Sequence, residues 1–181
     1  MSIVYRLNCD LDRVTAFMPV VPVRGFWDQF DGRSLAATWS PVAVSPADTP
    51  EDDAQLADCT ILGTVPLLSD KAVSTLAPLW GSHCEVLPVT YPRKHLFILN
   101  PLVVVDCLDE ARSDLERFPS TGRVMLINRY VFVDRLLEGH SIFRIPQLLR
   151  AYVFVTESVP QAVAAAGLTG FSFDLLWKSG R

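Results

Sequence analysis

Long apolar runs are missing from this 181-residue sequence. Pro19, Pro22, Pro66, Pro101 and Asp106 cut its apolar stretches well short of the roughly 18–20 residues that a spanning helix needs, which argues against a membrane protein. Arg6, Asp10, Asp12 and Arg13 stand where a secretion signal requires unbroken apolar residues, so a cytoplasmic protein is expected. Positive charge is also scarce. Sixteen Lys and Arg face twenty Asp and Glu, giving a formal charge of −4 and a pI near 5.3. That balance lacks the basic footprint of a nucleic-acid binder, and only Tyr91-Pro92-Arg93-Lys94-His95 interleaves basic with aromatic residues.

Reactive constellations are equally thin. Cys9, Cys59, Cys84 and Cys107 are widely spaced, with no pair at the two-to-four separation of zinc knuckles or redox motifs, so buried free thiols are expected. No Gly-x-Ser-x-Gly elbow, phosphate loop or dinucleotide fingerprint occurs. Of the histidines His83, His95 and His140, the first adjoins Cys84, and neighbours in a strand point to opposite faces and cannot easily share an ion. No catalytic residue, metal or cofactor is expected, and a protein that acts through its surface is.

What is present is core. Half the residues are apolar and a tenth aromatic. A chain this long buries roughly 70% of its unfolded surface without staples. Residues 1–55 form a Pro- and aromatic-rich segment, irregular after an initial strand at Ile3–Leu7, that is expected to pack on an α+β unit at 56–181 within one domain. Within 1–55, Phe26, Trp27, Phe30 and Trp39 lie between prolines, and Asp48, Glu51, Asp52 and Asp53 make the strongest charge cluster, a solvated loop.

The remaining pattern predicts a mostly antiparallel sheet with two or three short helices. A strand is expected at Cys59–Val65, then a helix capped by Ser69, favoured by Asp70 at its start and weakened by Pro78. Cys84–Val89 and His95–Leu99 read as a hairpin, followed by a helical turn near Asp109–Arg112 and a second hairpin, Leu115–Phe118 with Arg123–Ile127. Tyr130–Val133, Ile142–Ile145 and Tyr152–Val155 are β-prone. Ser158 is expected to cap a helix that Gly167 stops, before a strand Phe171–Leu175 with both phenylalanines on one face.

One stretch, FILNPLVVVDCLDEARSD at 97–114, ends a valine run in a cysteine ringed by carboxylates. Asp106 and Asp109 with Glu110 have the chemistry of an acid–base pair if one is desolvated, but turn and cap hydrogen bonds account for both aspartates equally. Asn100, Val104, Val105, Asp106, Leu108, Asp109 and Ser113 together resemble the eleventh family of immunity proteins from bacterial polymorphic toxin systems. A second part of the resemblance runs from Ile142-Phe143-Arg144 through Val153–Glu157 to Gly167, Gly170, Phe171 and Phe173, so that the whole covers 56–177.

The resemblance implies a protein without catalytic residues that binds and neutralises a cognate toxin. It also implies that Asn100, Asp106 and Asp109 fix turns after strands while Cys107 packs. For a basic toxin, Asp48, Glu51, Asp52 and Asp53 are candidate rim residues, and Trp27, Trp39 or Trp80 candidate anchors. Self-association stays open. The rival is a small-ligand protein or enzyme with a cleft lined by His83, His95 and Asp106 or Asp109.

Overall fold

The computed structural model describes residues 2–47 and 56–180, an α+β arrangement dominated by antiparallel sheet with two α-helices. Strand β1 (Ile3–Cys9) is followed by β2 (Phe17–Pro19), β3 (Val44–Pro46), β4 (Cys59–Leu62) and β5 (Val65–Ser69). Helix α1 (Asp70–Trp80) leads into β6 (Cys84–Val89), β7 (Leu96–Pro101), β8 (Asp114–Arg117), β9 (Val124–Arg129), β10 (Ile142–Phe143) and β11 (Val153–Thr156). Helix α2 (Ser158–Ala165) and β12 (Phe171–Lys178) complete the order. Neither helix is long and apolar enough to cross a membrane.

One sheet has the order β10-β11-β1-β12, the second β3-β2-β4-β5-β7-β6, and β8 pairs with β9 alone. The first sheet is covered on both faces. Leu7, Val153, Val155 and Ile142 meet Leu76, Trp80, Val159 and Val163 of the two helices, while Val4, Phe143 and Phe154 turn the other way toward Cys107, Leu108, Tyr130 and Phe132. Beside the second sheet, Phe26, Phe30 and Leu35 from the amino-terminal third pack onto Leu62, Leu67, Leu87 and Ile98. Residues of the 1–55 segment therefore enter both sheets: β1 lies between β11 and β12, and β2 and β3 pair beside β4.

Local chemistry explains the elements that match expectation. The Ser69 hydroxyl accepts the Ala72 amide at 3.2 Å and starts α1. The β6–β7 hairpin pairs from Cys84 opposite Pro101 to Val89 opposite Leu96. Asp109–Ser113 closes one helical turn, with the Ser113 amide on the Asp109 carbonyl at 2.9 Å.

Three expectations need correction. The segment Cys59–Val65 is two antiparallel strands rather than one, because Gly63, at φ 59, reverses the chain beneath the Trp27 ring, where a Cβ has no room. Tyr130–Val133 joins no ladder beyond one bridge between Leu108 and Phe132. Its rings bury by packing instead, Tyr130 stacking on Phe132 at 5.8 Å. Ser158 is the first residue of α2 and not its cap, which is Glu157 without a side-chain bond.

Candidate interaction surface

The polar residues around the valine run divide by what they touch. Asn100 is fully buried inside β7 and fixes no turn. Its amide donates to the Glu85 carboxylate at 2.8 Å and to the Arg33 carbonyl at 3.1 Å. Glu85 also accepts from the Ser34 hydroxyl (2.9 Å) and the Leu35 (2.6 Å) and Ala36 (3.2 Å) amides, so the pair ties the 33–36 loop to the edge of the second sheet. Asp106 is exposed and accepts from the Gln147 amide at 3.1 Å, a side-chain tie where a backbone turn was expected. Gln147 also donates to Glu110, whose carboxyl it and Arg117 hold below the usual carboxylate range.

Asp109 accepts the Arg112 amide at 3.1 Å within its own turn. Ser113 receives the Val131 amide at 3.0 Å and donates to the Val131 carbonyl, which pins the turn against 131–133. Cys107 is fully buried, and burial pushes its thiol up to about 12, so it is neutral and unreactive at pH 7. Leu108 is buried beside it. Cys9 and Cys59, remote in sequence, meet sulfur to sulfur at 3.3 Å.

Among the described residues no histidine hydrogen-bonds or ion-pairs with Asp106, Asp109 or Glu110. His83 and His95 lie just outside opposite ends of the β6–β7 hairpin. His95 sits 3.2 Å from the Asp70 carboxylate, and the His83 ring lies 5.4 Å from that of His140. Among the described residues no three His, Cys, Asp or Glu side chains are grouped to hold a metal ion. Arg144, fully buried, donates to the Pro101 and Leu149 carbonyls at 3.3 and 3.0 Å, and its burial lowers its pKa to about 10, leaving it charged at neutrality.

Other candidate positions belong to the fold as well. Gly167 ends α2 at φ 58, and Gly170, at φ 81, passes so close to the Cys59 carbonyl that a Cβ would collide. Phe171 stacks on Phe173, both on one face of β12 as expected. Trp80 is buried. Trp39 donates its indole N–H to the Pro88 carbonyl at 2.8 Å, and Trp27 lies edge-on to Phe26; both are half-buried. Asp48, Glu51, Asp52 and Asp53 lie outside the described residues.

Sequence reasoning passed over a pair of clefts. Two adjoining clefts, about 380 and 400 Å³, share Arg112, Val131 and Trp177. The Trp177 ring forms their wall, held edge-on to Phe132 at 5.8 Å. In the second cleft Arg112, Arg129 and Lys178 surround Tyr130, Leu175 and Leu176 with no carboxylate in the lining. Asp109 lines the first, its carboxylate 4.0 Å from the Arg112 guanidinium. The Tyr130 phenol is pushed up to about 12 by burial and stays neutral. The missed signal was the continuation of the strand through Leu176, Trp177 and Lys178, past Leu175, where the closing strand was expected to end.

The turn at Asp109–Ser113, the strand pair around it and the closing helix and strand are the parts that a comparison with protein families recognises. Residues 90–176 match the family model of an immunity protein family, Imm11. The Imm11 segment includes Asn100, Asp106, Leu108, Asp109, Ser113, Gly167, Gly170 and Phe171, together with Arg112 and Arg129 of the clefts. It begins at residue 90, beyond the start of the expected 56–177, so β4, β5, α1 and β6 precede it. Trp177 and Lys178 follow its end directly. No curated protein matched the chain.

Proposed function

We propose that the protein is an immunity protein that binds a cognate bacterial toxin and neutralises it by protein–protein contact, without catalysis of its own. The observation that carries this reading is the Imm11 match across 90–176. The side chains offer support: the polar residues of the matched motif hold main chain and loops in place. The exterior supplies contact material. Met18, Val20, Val21 and Val23 are exposed along one stretch beside Trp27, and Leu175 is exposed beside Arg112, Arg129 and Lys178. For a basic toxin, Asp48, Glu51, Asp52 and Asp53 are candidate steering residues, and Trp27 and Trp39 candidate anchors.

The test is co-expression with the toxin domain encoded by the adjacent reading frame. The expected result is restored growth and a complex that elutes as one species. Cell death with no complex would overturn the reading.

A further inference from the structure

Sheet edges are templates for foreign strands, because every second residue turns its N–H and C=O outward. Among the described residues, three of the four edge strands of its two larger sheets have a further main-chain bridge at or just past an end. The second sheet curls until its edges meet: the Thr90 carbonyl, past β6, accepts the Val44 amide of β3 at 3.0 Å, and the Thr90 amide donates to the Val42 carbonyl at 2.8 Å. Beyond β10, the Arg144 amide donates to the Val103 carbonyl (2.9 Å) and the Val105 amide to the Arg144 carbonyl (2.8 Å), so residues 103–105 cover that edge.

β12 differs. Among the described residues its main chain pairs with β1 alone. None of its eight residues is buried, whereas three of the four in β11 are. It carries no proline, and its one carboxylate, Asp174, is engaged by Arg6 at 2.9 Å and Asn8 at 2.6 Å. Alongside it lies the cleft of Arg112, Arg129 and Lys178, whose lining holds three cations and no anion in a chain of net charge −4. Leu175, 61% exposed, stands in the same lining.

We propose that β12 is a strand-addition site that takes an extended acidic segment of a protein partner. The segment's main chain ladders onto Phe171–Leu175, ahead of the bulge at Leu176, and its carboxylates reach Arg112, Arg129 and Lys178 beyond it. The partner's identity as the toxin rests on the reading given above; the site itself rests on the open edge and its charge.

The experiment titrates the full chain with two synthetic peptides, Thr-Val-Glu-Val-Glu-Val-Thr and its lysine counterpart, by fluorescence anisotropy, with amide exchange followed across β12. The glutamate peptide is expected to bind about tenfold more tightly or better, and to slow exchange at 171–175. The preference is expected to vanish in the Arg112→Glu/Arg129→Glu double variant and to weaken in Leu175→Asp, both at exposed positions. Equal binding of the two peptides would overturn the proposal. So would a dimer of the chain whose β12 amides are protected without peptide. The same exchange measurement on the complex with the adjacent toxin domain separates the two readings. Protection of β12 there supports strand addition, and a complex with β12 unprotected overturns it while leaving the immunity function intact. Peptide binding with no toxin complex overturns the immunity function and leaves the site.

Discussion

Asp58 collects more hydrogen bonds than Asp106, Asp109 or Glu110, the acidic group of the valine stretch. The Ser69 hydroxyl donates to one of its oxygens at 2.8 Å, and the Thr169 amide and hydroxyl to the other at 3.1 and 3.3 Å. Burial pushes its carboxyl up, but these bonds and nearby Lys71 more than offset that, and its pKa falls below the ordinary carboxylate value. The lowered group stabilises the fold fully above the ordinary value, and that contribution is lost as pH falls through the folded value. Asp58→Asn is expected to cost about 2 kcal/mol in urea unfolding at pH 7, with the difference from the native sequence shrinking on acidification; a constant difference would contradict this account. Thr169 lies 111 residues from Asp58, so no local pattern announces the pairing. Asn100 shows the same limit: it was expected to fix a turn, and neither its burial nor the groups it holds, Glu85 and Arg33 from other segments, can be read from its neighbours in sequence. Cys107 was legible because an apolar neighbourhood alone buries it. It is expected to resist iodoacetamide in the native protein and to react on unfolding, followed by mass spectrometry of the labelled peptide.

Elements were readable where their signals are short-range. Ser69 followed by Asp70 marks the start of α1, and the β-prone runs flanking Thr90–Lys94 mark the β6–β7 hairpin. Ser69→Ala removes both the cap on Ala72 and the hydroxyl that bonds Asp58, and is expected to cost about 1–2 kcal/mol in thermal or urea unfolding. The split of Cys59–Val65 was hidden because the reversal takes only Gly63 and Thr64 between β-prone residues, and the ring that occupies the missing Cβ of Gly63 belongs to Trp27. Gly170 combines a left-handed backbone with contact on the Cys59 carbonyl. Gly170→Ala is therefore expected to destabilise by about 1–3 kcal/mol and to speed amide exchange at the start of β12; an unchanged melting temperature would contradict the packing described.

At the scale of the molecule, the amino-terminal third is less separate than its composition implies, since β1 lies between β11 and β12 and the β2–β3 pair adjoins β4. Composition reports irregularity, and pairing partners more than a hundred residues away leave no mark on it. Charge behaves likewise: the sequence is acidic overall, yet the fold gathers Arg112, Arg129 and Lys178 from separate segments into one cleft. The central claim is that the protein acts by occupying its partner and not by turning over a substrate. Titrating a fixed amount of the adjacent toxin domain with this protein, and reading residual toxin activity, tests it most directly. Inhibition that rises linearly and is complete near one equivalent is the predicted result, and complete inactivation by a small fraction of an equivalent would contradict it.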